Sequence, residues 1–139
     1  MEVDEEKFFL YTTNDKYVVC HFFHNDFSRC KIVDHHLSKI SYTHPECKFI
    51  SVNVEKAPFL VKKLQIQTLP TIVVFINGKT VDTIVGFEEL GGSDEFKTPV
   101  LIRRLGQFKV IVLKEDEEFK MVTKKKRVAI AGEESSEDD

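Results

Sequence analysis

The chain has 139 residues, 42% of them hydrophobic, with 20 Lys and Arg against 23 Asp and Glu and a formal net charge of −3. That length suits one domain with a real core, and the slightly acidic balance makes no general case for nucleic-acid binding. No apolar run reaches the roughly 18 residues of a membrane span, the acidic start Met1-Glu-Val-Asp-Glu-Glu-Lys7 has no apolar signal core, and the scattered Cys20, Cys30 and Cys47 fit a reducing compartment better than a disulfide framework.

Residues 4–12 predict a short helix anchored by Phe8 and Phe9. Tyr17-Val-Val-Cys-His-Phe-Phe23 is apolar on both faces apart from His21, the pattern of a central strand covered on both sides. A helix is expected over 26–42, because Cys30, Val33, Leu37 and Ile40 recur at spacings of three and four. Lys48–Val54 reads as a second strand. Pro58 opens a short helix running to about Leu64, at a position where its missing N–H costs nothing.

Thr71–Ile76 and Thr80–Val85 read as strands joined by Asn77-Gly78, a strong two-residue hairpin signal. Thr98 is expected to cap a last helix with Pro99 in its first turn, and Gly106 to stop it. Phe108–Leu113 is either one more strand or a packed extension. From about residue 115 the sequence predicts disorder, with the basic run Lys124–Arg127 followed by an acidic end. The expected architecture is α/β: a mixed sheet with helices on both faces over residues 1–113, and a charged tail over 114–139.

Several motifs together carry a resemblance: Val18-Val-Cys-His-Phe22, Phe27-x-Arg-Cys-Lys-Ile32, Asp34-x-His-Leu37, Asn53-Val-Glu-Lys-Ala-Pro-Phe-Leu60, Leu69-Pro-Thr71, Gly78-Lys-Thr80, Val85-Gly-Phe87 and Arg104-Leu-Gly106. Over roughly residues 8–106 the chain resembles the phosducin-like family, whose members carry a thioredoxin-like domain. The resemblance implies a thioredoxin-like three-layer sandwich. It also implies a cytoplasmic regulator that binds the cytosolic chaperonin and modulates the folding of actin and tubulin. Family members carry a long charged helical region ahead of this domain, and the expectation for this chain is a domain without it.

One departure from thioredoxins governs the chemistry. They carry Cys-x-x-Cys where the first strand runs into its helix; here Cys30 supplies the second sulfur and Phe27 stands in place of the first. Exchange within one molecule needs an attacking and a resolving thiol, so the reading is a non-catalytic binding protein with no cofactor. Two alternatives stay open: a thiol redox protein acting through Cys30 alone, and a phosducin-type ligand of G-protein βγ subunits.

The resemblance also implies a cis peptide bond at Leu69–Pro70 and a retained peptide-binding surface of Phe27, Ser28, Arg29, Leu69 and Pro70. A helix start can activate Cys30, although packing is the more ordinary role of a cysteine there. His21 takes the place of a buried carboxylate in thioredoxins and reads as a hydrogen-bonded structural histidine. His24, His35 and His36 lack a paired-ligand spacing with Cys30, so no metal is expected. Lys124–Arg127 reads as a solvated run, with nuclear import as a second reading. Ser135 and Ser136 each precede an aspartate by three residues and are candidate phosphorylation sites.

Overall fold

The computed structural model describes residues 1–113. The tail, its basic run, Ser135 and Ser136 lie outside the described residues.

Asp4 caps the first helix, α1 (Glu5–Asn14), by accepting a hydrogen bond from the Lys7 N–H at 2.8 Å, and Glu5 and Glu6 complement its positive end. The strand β1 (Tyr17–Phe23) follows, buried at its five inner positions. Helix α2 (Ser28–Thr43) buries Cys30, Val33, Leu37 and Ile40 along one stripe. Then come β2 (Lys48–Asn53), a 3-10 turn at Val54–Lys56, α3 (Pro58–Lys63), β3 (Thr71–Ile76), β4 (Lys79–Val85), a 3-10 turn at Glu88–Leu90, and α4 (Thr98–Gly106).

The sheet order is β2-β1-β3-β4. β1 runs parallel to β2 and antiparallel to β3, and β3 pairs antiparallel with β4. Asn77 and Gly78 both adopt positive φ, 53° and 79°, the geometry a tight two-residue hairpin needs. At Gly78 a Cβ would also stand 3.3 Å from the Thr12 carbonyl oxygen.

Alternation along the strands divides the core. Val18, Cys20, Phe22, Val73 and Phe75 pack under α1 and α3, against Phe8 and Leu60. Val19, Ile72, Val74 and Ile84 pack under α2 and α4, against Val33, Leu37, Ile40, Leu101 and Leu105. The three-layer α/β sandwich read from the sequence is thus the fold observed. The Glu5 carboxylate joins the helices of one layer, accepting from the Leu60 N–H of α3 at 2.9 Å. Arg104 joins α4 to the sheet edge, donating to both Asp82 oxygens (2.7 and 2.8 Å) and also to Glu89.

Four details differ from the sequence reading. Both early helices shift towards the C-terminus by one or two residues. Phe9 is no core anchor: only Phe8 is buried, and Phe9 stays 46% exposed. Thr98 opens α4 but does not cap it; its hydroxyl lies 2.6 Å from His36 Nδ1, and Lys97 takes the cap position. Finally, Met1–Val3 adds a short parallel segment to the open edge of β2, exchanging hydrogen bonds with Ser51.

Phe108–Leu113 forms a packed extension with Val110 and Ile111 buried in the α2/α4 layer. Its last grip is electrostatic. Glu46 Oε2 accepts from the Val112 N–H at 2.8 Å and lies 2.9 Å from His44 Nδ1. Burial pushes the Glu46 carboxyl up, but the Val112 N–H, the His44 ring and Glu46's own backbone N–H outweigh it and hold the pKa at about 2, below the ordinary 4.5. A depressed carboxyl stabilises the fold above its unfolded pKa, and that stabilisation fades as pH falls through the window between 4.5 and about 2. Glu46→Gln is therefore expected to lower the urea midpoint at neutral pH, with the gap to the parent closing across that acid window. A gap independent of pH would contradict the assignment.

Candidate functional site

The carboxyl end of β1 and the start of β3 are neighbours, since Phe22 pairs with Thr71. This register brings the loop His24–Phe27 and the Leu69–Pro70 peptide, which is cis, to one end of the sheet. The loop is tightly turned. The Phe27 N–H donates to the His24 carbonyl at 3.1 Å, and the Asp26 N–H donates to His24 Nδ1 at 3.0 Å. Glu55, past the end of β2, holds the other ring nitrogen of His24 at 3.2 Å.

Phe27 sits at the N-cap of α2, offers no side-chain cap, and stands 48% exposed with its ring edge-on to His24. Ser28 is exposed beside it, Leu69 is half-buried and Pro70 is buried. Among the described residues neither the N–H nor the carbonyl of Leu69 meets a hydrogen-bond partner, whereas the Pro70 carbonyl accepts from Gly86 at 2.8 Å.

Arg29 is engaged by the segment that follows β4. Its Nε lies 2.7 Å from Asp94 Oδ1, and its guanidinium covers the Phe87 ring at 4.9 Å. It ties the start of α2 to the loop after β4. Sequence spacing gives no signal for such a pair, whose partners are 65 positions apart.

All three thiols are free and buried, and no two are placed for a disulfide. Burial raises the pKa of Cys30, a rise partly offset by a backbone hydrogen bond from His24. Burial also raises Cys20 well above its ordinary value, and burial with the nearby Glu46 charge pushes Cys47 to about 12. At Cys30 desolvation disfavours the charged thiolate more than the His24 backbone hydrogen bond favours it.

His21 lies beneath Cys30 on the α2 side of β1, in a cavity of about 390 Å³ that Asp34, Ser38 and Ser51 also line. It is 2% exposed, and neither ring nitrogen has a hydrogen-bond partner among the described residues. The structural histidine expected from the sequence thus lacks the satisfying contacts expected with it. Burial lowers its pKa from 6.5 to about 4, so it is neutral at physiological pH. Among the described residues no group of three metal-ligating side chains converges.

Residues 1–94 match the family model described as Thioredoxin. The chain is 46% identical over 123 residues to phosducin-like protein 3 of Dictyostelium discoideum, covering 88% of this chain and 67% of that protein. It belongs to the phosducin-like family of thioredoxin-fold proteins. It is also 45% identical over 107 residues to human thioredoxin domain-containing protein 9, covering 77% of this chain but 47% of the human protein. The chain thus spans two thirds of one relative and about half of another.

Among solved structures, a Chlamydomonas reinhardtii thioredoxin f2 superposes with a TM-score of 0.67 at 23% identity, covering 81% of this chain and 98% of that one. A Plasmodium falciparum thioredoxin gives 0.66, also at 23% identity, over 77% and 97%. These two likenesses establish the fold alone. This phosducin-like chain keeps the thioredoxin frame with a phenylalanine, a protonated thiol and a neutral histidine at its mouth.

The depressed His21 pKa has a signed consequence. The unfolded chain binds a proton at His21 near pH 6.5 and the folded chain only near 4, so stability falls as pH drops through that window, by about 3 kcal/mol at most. His21→Val is expected to remove this part of the acid slope. Unfolding midpoints of parent and variant that fall in parallel between these pH values would refute it.

Proposed function

We propose that this chain is a non-catalytic thioredoxin-fold regulator that acts in the cytoplasm, binds the cytosolic chaperonin and modulates the folding of its actin and tubulin clients. The observation that carries the non-catalytic half is Phe27 at the mouth, above a single buried thiol whose pKa is raised. Disulfide reduction needs a thiolate to attack and a second thiol to resolve the mixed disulfide, and this mouth offers neither. Similarity to phosducin-like protein 3 supports the regulatory half.

What remains at the mouth suits recognition of an extended segment. Phe27 and Ser28 offer exposed contact area, and Leu69, ahead of Pro70, has a backbone N–H and carbonyl without partners among the described residues, to which an extended strand can add. Arg29 contributes from the side by holding the helix start in place through Asp94.

Two measurements test this. Purified cytosolic chaperonin on a sensor surface is expected to retain the chain, with retention reduced by Phe27→Ala; no retention at any attainable concentration would sink the chaperonin reading. In an insulin-reduction assay the parent is expected to be inert, and turnover abolished by Cys30→Ser would overturn the non-catalytic reading. Phe27→Cys, which places two sulfurs three residues apart at the start of α2, is expected to gain weak turnover.

A further inference from the structure

A groove of about 650 Å³ opens on the opposite face of the sheet from His21, between α1, α3 and the β3–β4 hairpin. Its floor is Phe8 and Phe75, packed edge to face at 5.5 Å and both buried. Phe9 and Phe59 stand in its wall with their rings 6.2 Å apart, 46% and 56% exposed. Two large aromatic side chains held together over an apolar floor make a surface that gains by being covered.

The charges around this groove are segregated. Lys16 and Lys63 line it, and Lys62 and Lys79 are exposed on α3 and on the hairpin that bound it. Among the described residues none of these four ammonium groups has an ion-pair partner, whereas Arg29 and Arg104 are both held by carboxylates. Lys16 lies 5.2 Å over the Tyr17 ring. Among the described residues Asp15 is the single carboxylate lining the groove. Glu5 and Glu6 sit in the first turn of α1, away from the hairpin, and Glu5 is taken up by the Leu60 N–H. The hairpin meets the chain just past the end of α1, where the Asn77 N–H donates to the Lys16 carbonyl at 2.8 Å. That end of the groove is a local positive excess on a chain whose net charge is −3.

Two features select the occupant. Covering the groove takes water from around the lysines; a neutral or basic cover leaves the ammonium groups without partners, and an acidic one supplies them. The floor is recessed beneath the Phe9 and Phe59 rings, so side chains projecting from a helix reach it and a flat bilayer does not. We propose that this groove docks an amphipathic helix of another protein, its apolar stripe against Phe8, Phe9, Phe59 and Phe75 and its acidic residues against Lys16, Lys63 and Lys79 at the hairpin end. That end lies at the opposite end of β1 from the mouth, because Tyr17 pairs with Ile76 next to the hairpin and Phe22 pairs with Thr71 beside Pro70. A helix docked here leaves the mouth at Phe27 and Leu69 open.

The test uses the full chain, panned against a display library of random fourteen-residue peptides. Enriched peptides are expected to be net acidic, with apolar residues at spacings of three and four. Added to ¹⁵N-labelled chain, they are expected to shift the amide signals of Phe9, Thr13, Phe59, Lys63 and Asn77 and to leave those of Phe27, Lys39 and Tyr42 in place. Affinity should fall about tenfold or more with Phe59→Ser and, separately, with the Lys16→Glu, Lys63→Glu pair. All three positions are exposed, and unchanged signals from the rest of the chain report that each variant folds. No enrichment, enriched sequences without the acidic bias or the helical spacing, shifts centred away from the groove, or affinity indifferent to the lysine pair overturns the proposal. So do shifts of the same amides that grow with the chain's own concentration, because the occupant is then a second copy. Binding to phosphatidylserine vesicles that Phe59→Ser abolishes also overturns it, in favour of a bilayer.

Discussion

Tyr17–Phe23 must satisfy two helix layers at once. Every second side chain of β1 enters one core and the others enter the opposite one, so the strand has no solvent face on which to place a polar group. Its neighbours follow from that demand. β2 and β3 close its hydrogen-bonding edges, α1 and α3 cover one face, and α2 and α4 cover the other. The strand's carboxyl end then fixes where the mouth of the domain stands, because both His24–Phe27 and Leu69–Pro70 emerge beside it.

The same burial decides the chemistry. A thiol at a helix start is subject to two opposed effects: local amides stabilise the thiolate, and an apolar surround removes its hydration. At Cys30 desolvation wins. Directly below, His21 is buried with both ring nitrogens unpaired among the described residues, an arrangement that costs stability in acid and leaves the imidazole neutral at physiological pH. The fold is that of a thioredoxin, but here burial favours the uncharged forms of Cys30 and His21.

Charged side chains add to the apolar packing at the periphery. Arg29 with Asp94, Arg104 with Asp82 and Glu89, and Glu46 with His44 and Val112 each bind a loop or the terminal extension back to the sandwich. Of these the Arg104–Asp82 pair is well shielded and bidentate, whereas Arg29–Asp94 is half exposed on both sides and belongs with the surface pairs that contribute little. They fasten the segments after β4, which also place Phe87, Leu90, Phe96, Leu101, Leu105, Val110 and Ile111 in the core on the α2/α4 side.

By itself the sequence determined the element order, the two-faced character of β1, the buried stripe of α2, the Asn77-Gly78 hairpin and the absence of a sulfur at position 27. Each is a local or periodic property, set by side-chain alternation, helical spacing or the backbone freedom of a single residue. Only the tertiary structure decided that Phe8 is buried while Phe9 is left to line a groove, that Thr98 turns to His36 instead of capping its helix, that Arg29 is held by Asp94 and Phe87, that Met1–Val3 pairs at Ser51, and that Cys30 is desolvated more than it is activated. Those outcomes depend on which distant surfaces meet, and neither pairing partners nor local dielectric is written in the spacing of neighbouring residues.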